Sequence, residues 1–273
     1  MERQKGRKDG FDKNKKREEA PEREERNQDL IIGRNAVSEA LRNDRAIDTL
    51  LVLRGERNGS VGRIIAECRE KEIVIKEVDK KKLDFLCGQG NHQGVAAWAA
   101  VHEYATVEDM LNLAKERGED PFIILCDELE DPHNLGAIIR TAETTGAHGI
   151  IIPKRRNASL TWAVGKASAG AVEYVPVARV ANIAATLDDL KKQGFWVYTA
   201  DMDGKNWCET DFSGSVALVV GSEGKGVSRL VKEKSDFIVS LPMRGKITSL
   251  NASVAASVLM YEVARQRLGI KAK

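Results

Sequence analysis

Long apolar runs are missing from this chain, and so are paired cysteines. No window approaches the ~18 consecutive apolar residues that a membrane-spanning helix needs. The opening MERQKGRKDGFDKNKKREE holds no apolar core of a secretion signal, so neither secretion nor membrane insertion is expected and the chain reads as cytoplasmic. Cys68, Cys87, Cys126 and Cys208 form no C-x-x-C pair, which argues against a zinc site and a disulfide framework. His92, His102, His133 and His148 are equally scattered, and no metal is expected. Aromatic residues make up only 5% of the chain against 42% apolar residues overall, a balance that favours aliphatic α/β cores over an aromatic-rich sandwich. A strong net charge is also absent: at +2, any affinity for nucleic acid has to come from local clustering.

What is present divides along the chain, whose 273 residues leave room for two domains. Residues 1–28 are almost free of aliphatic side chains. A basic half with Lys13, Lys15, Lys16 and Arg17 is followed by an acidic one with Glu18, Glu19, Glu22, Glu24 and Glu25. Such a segment buries too little to offset its ordering entropy and is expected to be disordered, either as a solvated tail or as a loose phosphate-binding arm. Residues 29–101 alternate short helices (AVSEALRN, VGRIIAECREK, KKKLDFLCG) with strands (IDTLLVL, EIVIKEV, GVAAWAAV), the pattern of a small α/β domain. Residues 102–120, with the helical piece TVEDMLNLAKERG, are expected as a linker. From 121 to 273, the runs FIILCDEL, HGIIIP, EYVPVARV, FWVYTADM, SVALVVGSE and DFIVSLPM recur with helical segments between most of them. Continuous apolar strands of this kind predict a mainly parallel sheet covered on both faces. Ligands in such sheets sit beyond the carboxyl ends of the strands, which directs attention to CDELEDPHN, VVGSEGKG and SLPMRGKITSLN.

Each of these segments has a plain reading beside a functional one. In DPHNLGAIIRTAETTGAHG, Asn134 suits a helix N-cap, and Arg140 has Glu143 and Thr144 at helix-neighbour spacing. GSEGKGVS fails the phosphate-loop pattern, because Lys225 is followed by Gly226 and Val219 stands where the first glycine should be. What remains is a glycine-dense turn that can present Glu223. The loop with Arg244, Lys246, Thr248, Ser249 and Asn251 is polar and basic and precedes a long helix. On that helix Val254, Val258 and Tyr261 share one face while Leu259 and Val263 lie on another, so it packs on its own sheet and either on a second subunit or within the core.

In this order and spacing, NLGAIIRTAE, GSEGKGVS and LPMRGKITSLNASVA resemble the motifs of the SPOUT superfamily, specifically its TrmH-like branch of RNA ribose 2′-O-methyltransferases. The resemblance runs roughly from Pro121 to Arg267. It implies an α/β domain with a deep trefoil knot, a homodimer, and S-adenosyl-L-methionine as donor. Gly221, Leu241 and Leu250 would hold the donor mainly through backbone groups, and Asn134, Arg140, Glu223, Ser249 and Asn251 would line the reaction centre. Within GRNAVSEAL and NHQGVAA, the first domain is similar to the small L30e-type RNA-binding domain of rRNA enzymes in this branch. By resemblance the substrate is then a guanosine of large-subunit rRNA. The alternatives are a tRNA enzyme and a non-catalytic RNA-binding or ribosome-assembly protein. Ala252 departs from the more usual valine.

Overall fold

The carboxyl ends of parallel strands were the places to search, and the structure, a computed structural model, shows where they fall. It describes residues 30–271 except 44, 58 and 89, so the tail expected over 1–28 lies outside the described residues. The chain divides into two units, Met1–Ala100 and Val101–Lys273.

The first unit runs β1 (Leu30–Ile32), α1 (Arg34–Arg42), β2 (Ile47–Leu53), α2 (Gly59–Glu70), β3 (Val74–Val78), α3 (Lys80–Leu86) and β4 (Val95–Ala99). Its sheet has the order β1-β4-β2-β3, with β2 parallel to β3 and β4 antiparallel to β1 and β2. IDTLLVL is apolar almost throughout because both of its faces are covered. Leu50 and Val52 point to α1 and α2, against Val37, Leu41, Val61 and Ile64, while Leu51 points to the other face, against Leu83 of α3.

The second unit opens with α4 (Val107–Arg117), β5 (Phe122–Asp127), α5 (Pro132–Thr144) and β6 (Gly149–Pro153). It continues through α6 (Trp162–Ala167), β7 (Val177–Val180), α7 (Ile183–Lys192), β8 (Trp196–Asn206), β9 (Val216–Gly221), α8 (Arg229–Lys234), β10 (Phe237–Ser240) and α9 (Ala252–Arg267). All pairings in its six-stranded sheet, order β10-β8-β9-β5-β6-β7, are parallel. On β5, Phe122, Ile124 and Cys126 pack with Leu135, Ile138 and Ala142 of α5 and Leu259, Met260 and Val263 of α9. Ile123 and Leu125 pack on the opposite face with Met110 of α4, Leu187 and Leu190 of α7 and Val231 of α8. Each such side chain contributes about 1.5–3 kcal/mol on full burial, so this double coverage anchors the central strands.

The stretch 102–120 is built into the second unit. Thr106 and Asp109 form a reciprocal capping box at the start of α4, Met110 and Ala114 are buried, and Ala105 bridges to Ala178 of β7. The docking is close: a Cβ on Gly149 of β6 would lie 2.4 Å from the Met110 side chain, so glycine leaves the room that this side chain fills. No helix among the described residues is long and apolar enough to cross a membrane.

His148 ties the entry of β5 to β6. Its backbone N–H donates to the Phe122 carbonyl at 2.8 Å, and its fully buried ring accepts from the Phe122 N–H at Nδ1, 3.0 Å. With Nδ1 accepting, the ring proton sits on Nε2 and is donated to Glu119, 3.1 Å away. Burial holds the ring's pKa below its usual 6.5, aided by Arg117 and Arg267 and opposed by Glu119. Above pH 6.5 both folded and unfolded chains keep the ring neutral. Below it, the unfolded chain takes up a proton that the folded one resists, so stability falls with falling pH. Thermal midpoints should therefore drop between about pH 7 and 5, and His148→Gln should flatten that drop. Parallel profiles for the two proteins would contradict the assignment.

Candidate functional site

β5 and β9 are neighbours, with Asp127 opposite Gly221 at their carboxyl ends. After β5 the chain turns through residues 128–131 into α5, whose N-cap is Asp131. Its Oδ1 accepts from the His133 N–H at 2.9 Å, and Pro132 occupies the first helical position. The expected cap at Asn134 is thereby corrected: proline presets the helical φ and lacks the N–H that a cap would have to satisfy, so the helix starts earlier. Asn134 falls inside the first turn, 4% exposed, and its side chain reaches sideways.

That side chain joins two others that are distant in the chain. Asn134 Nδ2 donates to Glu223 Oε1 at 3.1 Å, and Asn251 Nδ2 donates both to Asn134 Oδ1 at 2.9 Å and to Glu223 Oε1 at 2.5 Å. Asn251 is also the N-cap of α9, where its Oδ1 accepts from the Ser253 and Val254 N–H groups at 3.0 and 3.2 Å. Because the helix amides claim Oδ1, the amide of Asn251 must turn Nδ2 toward the triangle. The same logic orients Asn134, whose acceptor meets Asn251 and whose donor meets Glu223.

Glu223 is presented by a tight turn after β9. Ser222 and Gly226 exchange backbone hydrogen bonds at 2.9 and 3.2 Å, with Gly224 and Gly226 at φ 83° and 66°, a region that glycine enters freely. A Cβ on Gly221 would lie 2.1 Å from the Gly226 carbonyl carbon, so the turn can close over that position only if it is glycine. Asp127 Oδ2 accepts from the Ser228 N–H at 2.8 Å and ties the far side of the turn to β5.

Leu241 packs against the core, while Ser249 and Leu250 are exposed. Residues 242–250 donate no backbone N–H to a described backbone carbonyl, leaving a row of free donors beside exposed Met243, Ile247 and Leu250. Arg140 is exposed on α5, as are His133 and Thr144, whereas Asn134 is buried. Its guanidinium makes no hydrogen bond or ion pair with a described residue. Thus Asn134, Glu223 and Asn251 come together, whereas Arg140 and Ser249 make no bond to them within this chain. α9 runs beside α5, with Tyr261 Oη donating to Thr144 Oγ1 at 3.4 Å, and its Val254, Val258 and Tyr261 are left exposed.

A cavity of about 250 Å³ adjoins the triangle, between the β5–α5 loop and the β9 turn. Its wall is braced by the loop after β6, which sequence reading did not single out. Glu128 and Arg156, at φ 57° and 56°, form an ion pair at 3.0 Å, and Asn157 Oδ1 accepts from the Leu129 N–H at 2.8 Å. Two bulky residues in the left-handed region cost of order 1–3 kcal/mol each, and their pairing across two loops marks this end of the sheet. The signal available in sequence was the run KRRN directly after a strand. A larger cavity, about 1250 Å³, lies between α9 and residues 207–214 and extends to Glu119 and Asp120, at the amino ends of the strands.

Residues 121–261 match the model of the SpoU rRNA methylase family, and residues 30–105 match that of the RNA 2′-O ribose methyltransferase substrate-binding domain. The chain is 51% identical over 240 residues to YacO of Bacillus subtilis (strain 168), assigned to the TrmH family of tRNA/rRNA methyltransferases, covering 88% of this chain and 96% of that one. An AdoMet-bound rRNA methyltransferase from Sinorhizobium meliloti is similar in structure at 25% identity and a TM-score of 0.54, covering 91% of each chain. The A. aeolicus TrmH/SpoU tRNA-modifying enzyme is similar at 28% identity and a TM-score of 0.51, covering 55% of this chain and 76% of that one.

The dual role of Asn251 predicts a separable pair of effects. Asn251→Ala should lower stability by about 1–2 kcal/mol through loss of the cap. Asn251→Asp restores the cap but sets a second carboxylate against Glu223, so its stability should fall as pH rises from about 4 to 7. Urea midpoints that are equal for wild type and both variants across this range would show the side chain to be idle.

Proposed function

Because the chain belongs to the SpoU/TrmH family of RNA 2′-O-ribose methyltransferases, we propose that it methylates the ribose of a guanosine in large-subunit rRNA, with S-adenosyl-L-methionine as donor. The observation that carries this reading is the Asn134–Glu223–Asn251 triangle at the carboxyl ends of β5 and β9. The rRNA assignment draws on coverage: the S. meliloti rRNA enzyme spans both units of this chain, whereas the A. aeolicus tRNA enzyme covers 55% of it. The first unit serves to bind the RNA. Cytoplasmic rRNA is the substrate in this reading.

The residues present suit the donor. Free backbone N–H groups over 242–250 and the exposed Leu250 offer what an adenosine needs, polar contacts to main chain and an apolar surface for the ring. Gly221 and Leu241 complete the cradle through their backbones. Tucking of the segment between β10 and α9 through a neighbouring loop, the trefoil knot of the resemblance, is in keeping with α9 returning from edge strand β10 to pack on central β5 and on α5.

The bound donor supplies a methyl group on a sulfonium, already a good leaving group. The protein has to align the acceptor 2′-oxygen and let its proton depart, and alignment alone can lower the barrier by several kcal/mol. Asn134, Glu223 and Asn251 form a rigid floor on which the ribose is oriented, with Ser249 at its edge. Arg140, a guanidinium with a fixed fork of N–H donors, grips the phosphate beside the acceptor, and a phosphate oxygen takes the proton as the oxygen–carbon bond forms and the methyl carbon–sulfur bond breaks. Arg140 makes no bond to its own triangle, and α9, packed beside α5 through Tyr261 and Thr144, leaves Val254, Val258 and Tyr261 exposed. A homodimer that covers this apolar face brings Arg140 of one copy toward the centre of the other.

Labelled methyl should pass from the donor to one ribose of protein-free large-subunit rRNA and not to bulk tRNA. Label in tRNA alone would overturn the rRNA assignment. Arg140→Ala should lower single-turnover transfer on the order of 10²-fold with donor binding by calorimetry nearly unchanged, while a wild-type rate would remove Arg140 from the mechanism.

A further inference from the structure

We propose that the cavity of about 250 Å³ beside the triangle receives the base of the acceptor nucleotide, with Glu130 and Lys225 reading the edge of a guanine. This rests on the methyl-transfer reading above and names the groups that select the nucleotide. Elimination among the polar side chains of the cavity points to these two. Glu128 is held by Arg156 at 3.0 Å. Asp131 caps α5 through its Oδ1. Asn134 and Glu223 bind each other, and Ser222, its backbone tied to Gly226, adds only an uncharged hydroxyl. Glu130 and Lys225 are exposed, and neither side chain makes a hydrogen bond or ion pair with a described residue.

The charge pattern selects among the parts of a nucleotide. Among the described residues that line it, Glu130, Asp131 and Glu223 outnumber the one unpaired cation, Lys225, so a phosphate is repelled from this cavity and a neutral base is not. Leu129, which also lines the cavity, is anchored by its side chain in the core. A lone carboxylate is best matched by two adjacent N–H donors, and guanine carries such a pair at N1 and N2, whereas uracil offers one N–H and adenine and cytosine a single amino group. The ammonium of Lys225 suits O6 and N7 of the same base. Unstacked RNA bases are commonly read on these edges. The wall does not have to form on binding, because the Leu129 N–H is fixed by Asn157 and the Leu129 carbonyl accepts from Ala158 at 2.8 Å.

The test uses the full-length protein and synthetic RNA hairpins containing the mapped methylation site, with guanine, hypoxanthine (no N2 amino group) or 7-deazaguanine (no N7) at the acceptor. Wild type should favour guanine over hypoxanthine by about 10- to 100-fold in kcat/KM, the scale of one good bidentate contact. Glu130→Gln should bring that ratio to within about 3-fold of unity. Lys225→Met should do the same for guanine against 7-deazaguanine, with donor binding by calorimetry retained in both variants. Methylation of guanosine with the wild-type ratio intact in Glu130→Gln, or an acceptor mapped to another base, overturns this inference alone. Failure of wild type to methylate any RNA overturns the methyl-transfer reading and this inference with it.

Discussion

The side-chain amide of Asn251 is the group on which the candidate site depends. A primary amide has an acceptor at one end and donors at the other, and here the acceptor starts helix α9 while the donors hold Asn134 and Glu223. The position of a helix on the core is therefore coupled to the positions of two loops. An aspartate would cap the helix equally well but could not donate, and alanine could do neither. The preceding residues, 242–250, donate no hydrogen bond to a described backbone carbonyl, so the order of the segment converges on its last residue.

Close approach is the second constraint. Gly221 lets the turn after β9 fold back on its own strand, and a Cβ on Gly136 would lie 2.4 Å from the Ala167 Cβ of α6. α5 is thus clamped on three sides: by α6 at Gly136, by the apolar core at Leu135, Ile138 and Ala142, and by α9 through the 2.9 Å contact between Thr141 and Ser257 hydroxyls. A helix so held keeps its exposed stripe in a fixed direction, which is what an arginine with no partner of its own requires if it is to meet a substrate in a set geometry.

The strands and most helices were legible in the sequence because burial on both faces writes continuous aliphatic runs, as in FIILCD and VALVVG. Local signals also sufficed for the helix at TVEDMLNLAKERG, with its threonine cap and terminal glycine. Its docking did not follow from them, since an amphipathic face does not name the sheet it will cover and Gly149, 39 positions after Met110, is what admits it. The cap of α5 was misplaced for a related reason. Asp131–Pro132 is the stronger start signal, but Asn134 is also a good capping residue, and its partners stand 89 and 117 positions away. The members of the triangle were named by resemblance to a family; their mutual contact is a property of topology. The brace between Glu128 and Arg156 left only the three basic residues and one amide of KRRN after a strand as a trace in the sequence.

At the carboxyl end of the sheet most polar side chains are engaged in holding the architecture: Asp127 the turn, Asp131 and Asn251 the helices, Glu128 and Asn157 the loop wall. Arg140, Ser249, Glu130 and Lys225 make no such bonds with described residues. An exposed charge that stabilises nothing in the fold contributes little to folding and is left available to a ligand. The engaged groups fix distances, and the free ones supply charge and hydrogen-bonding capacity at those distances. On the reading proposed above, a substrate that met Glu130 and Lys225 on one side and a neighbouring copy's Arg140 on the other would experience both together, and a scaffold of ordinary α/β packing would thereby select one nucleotide.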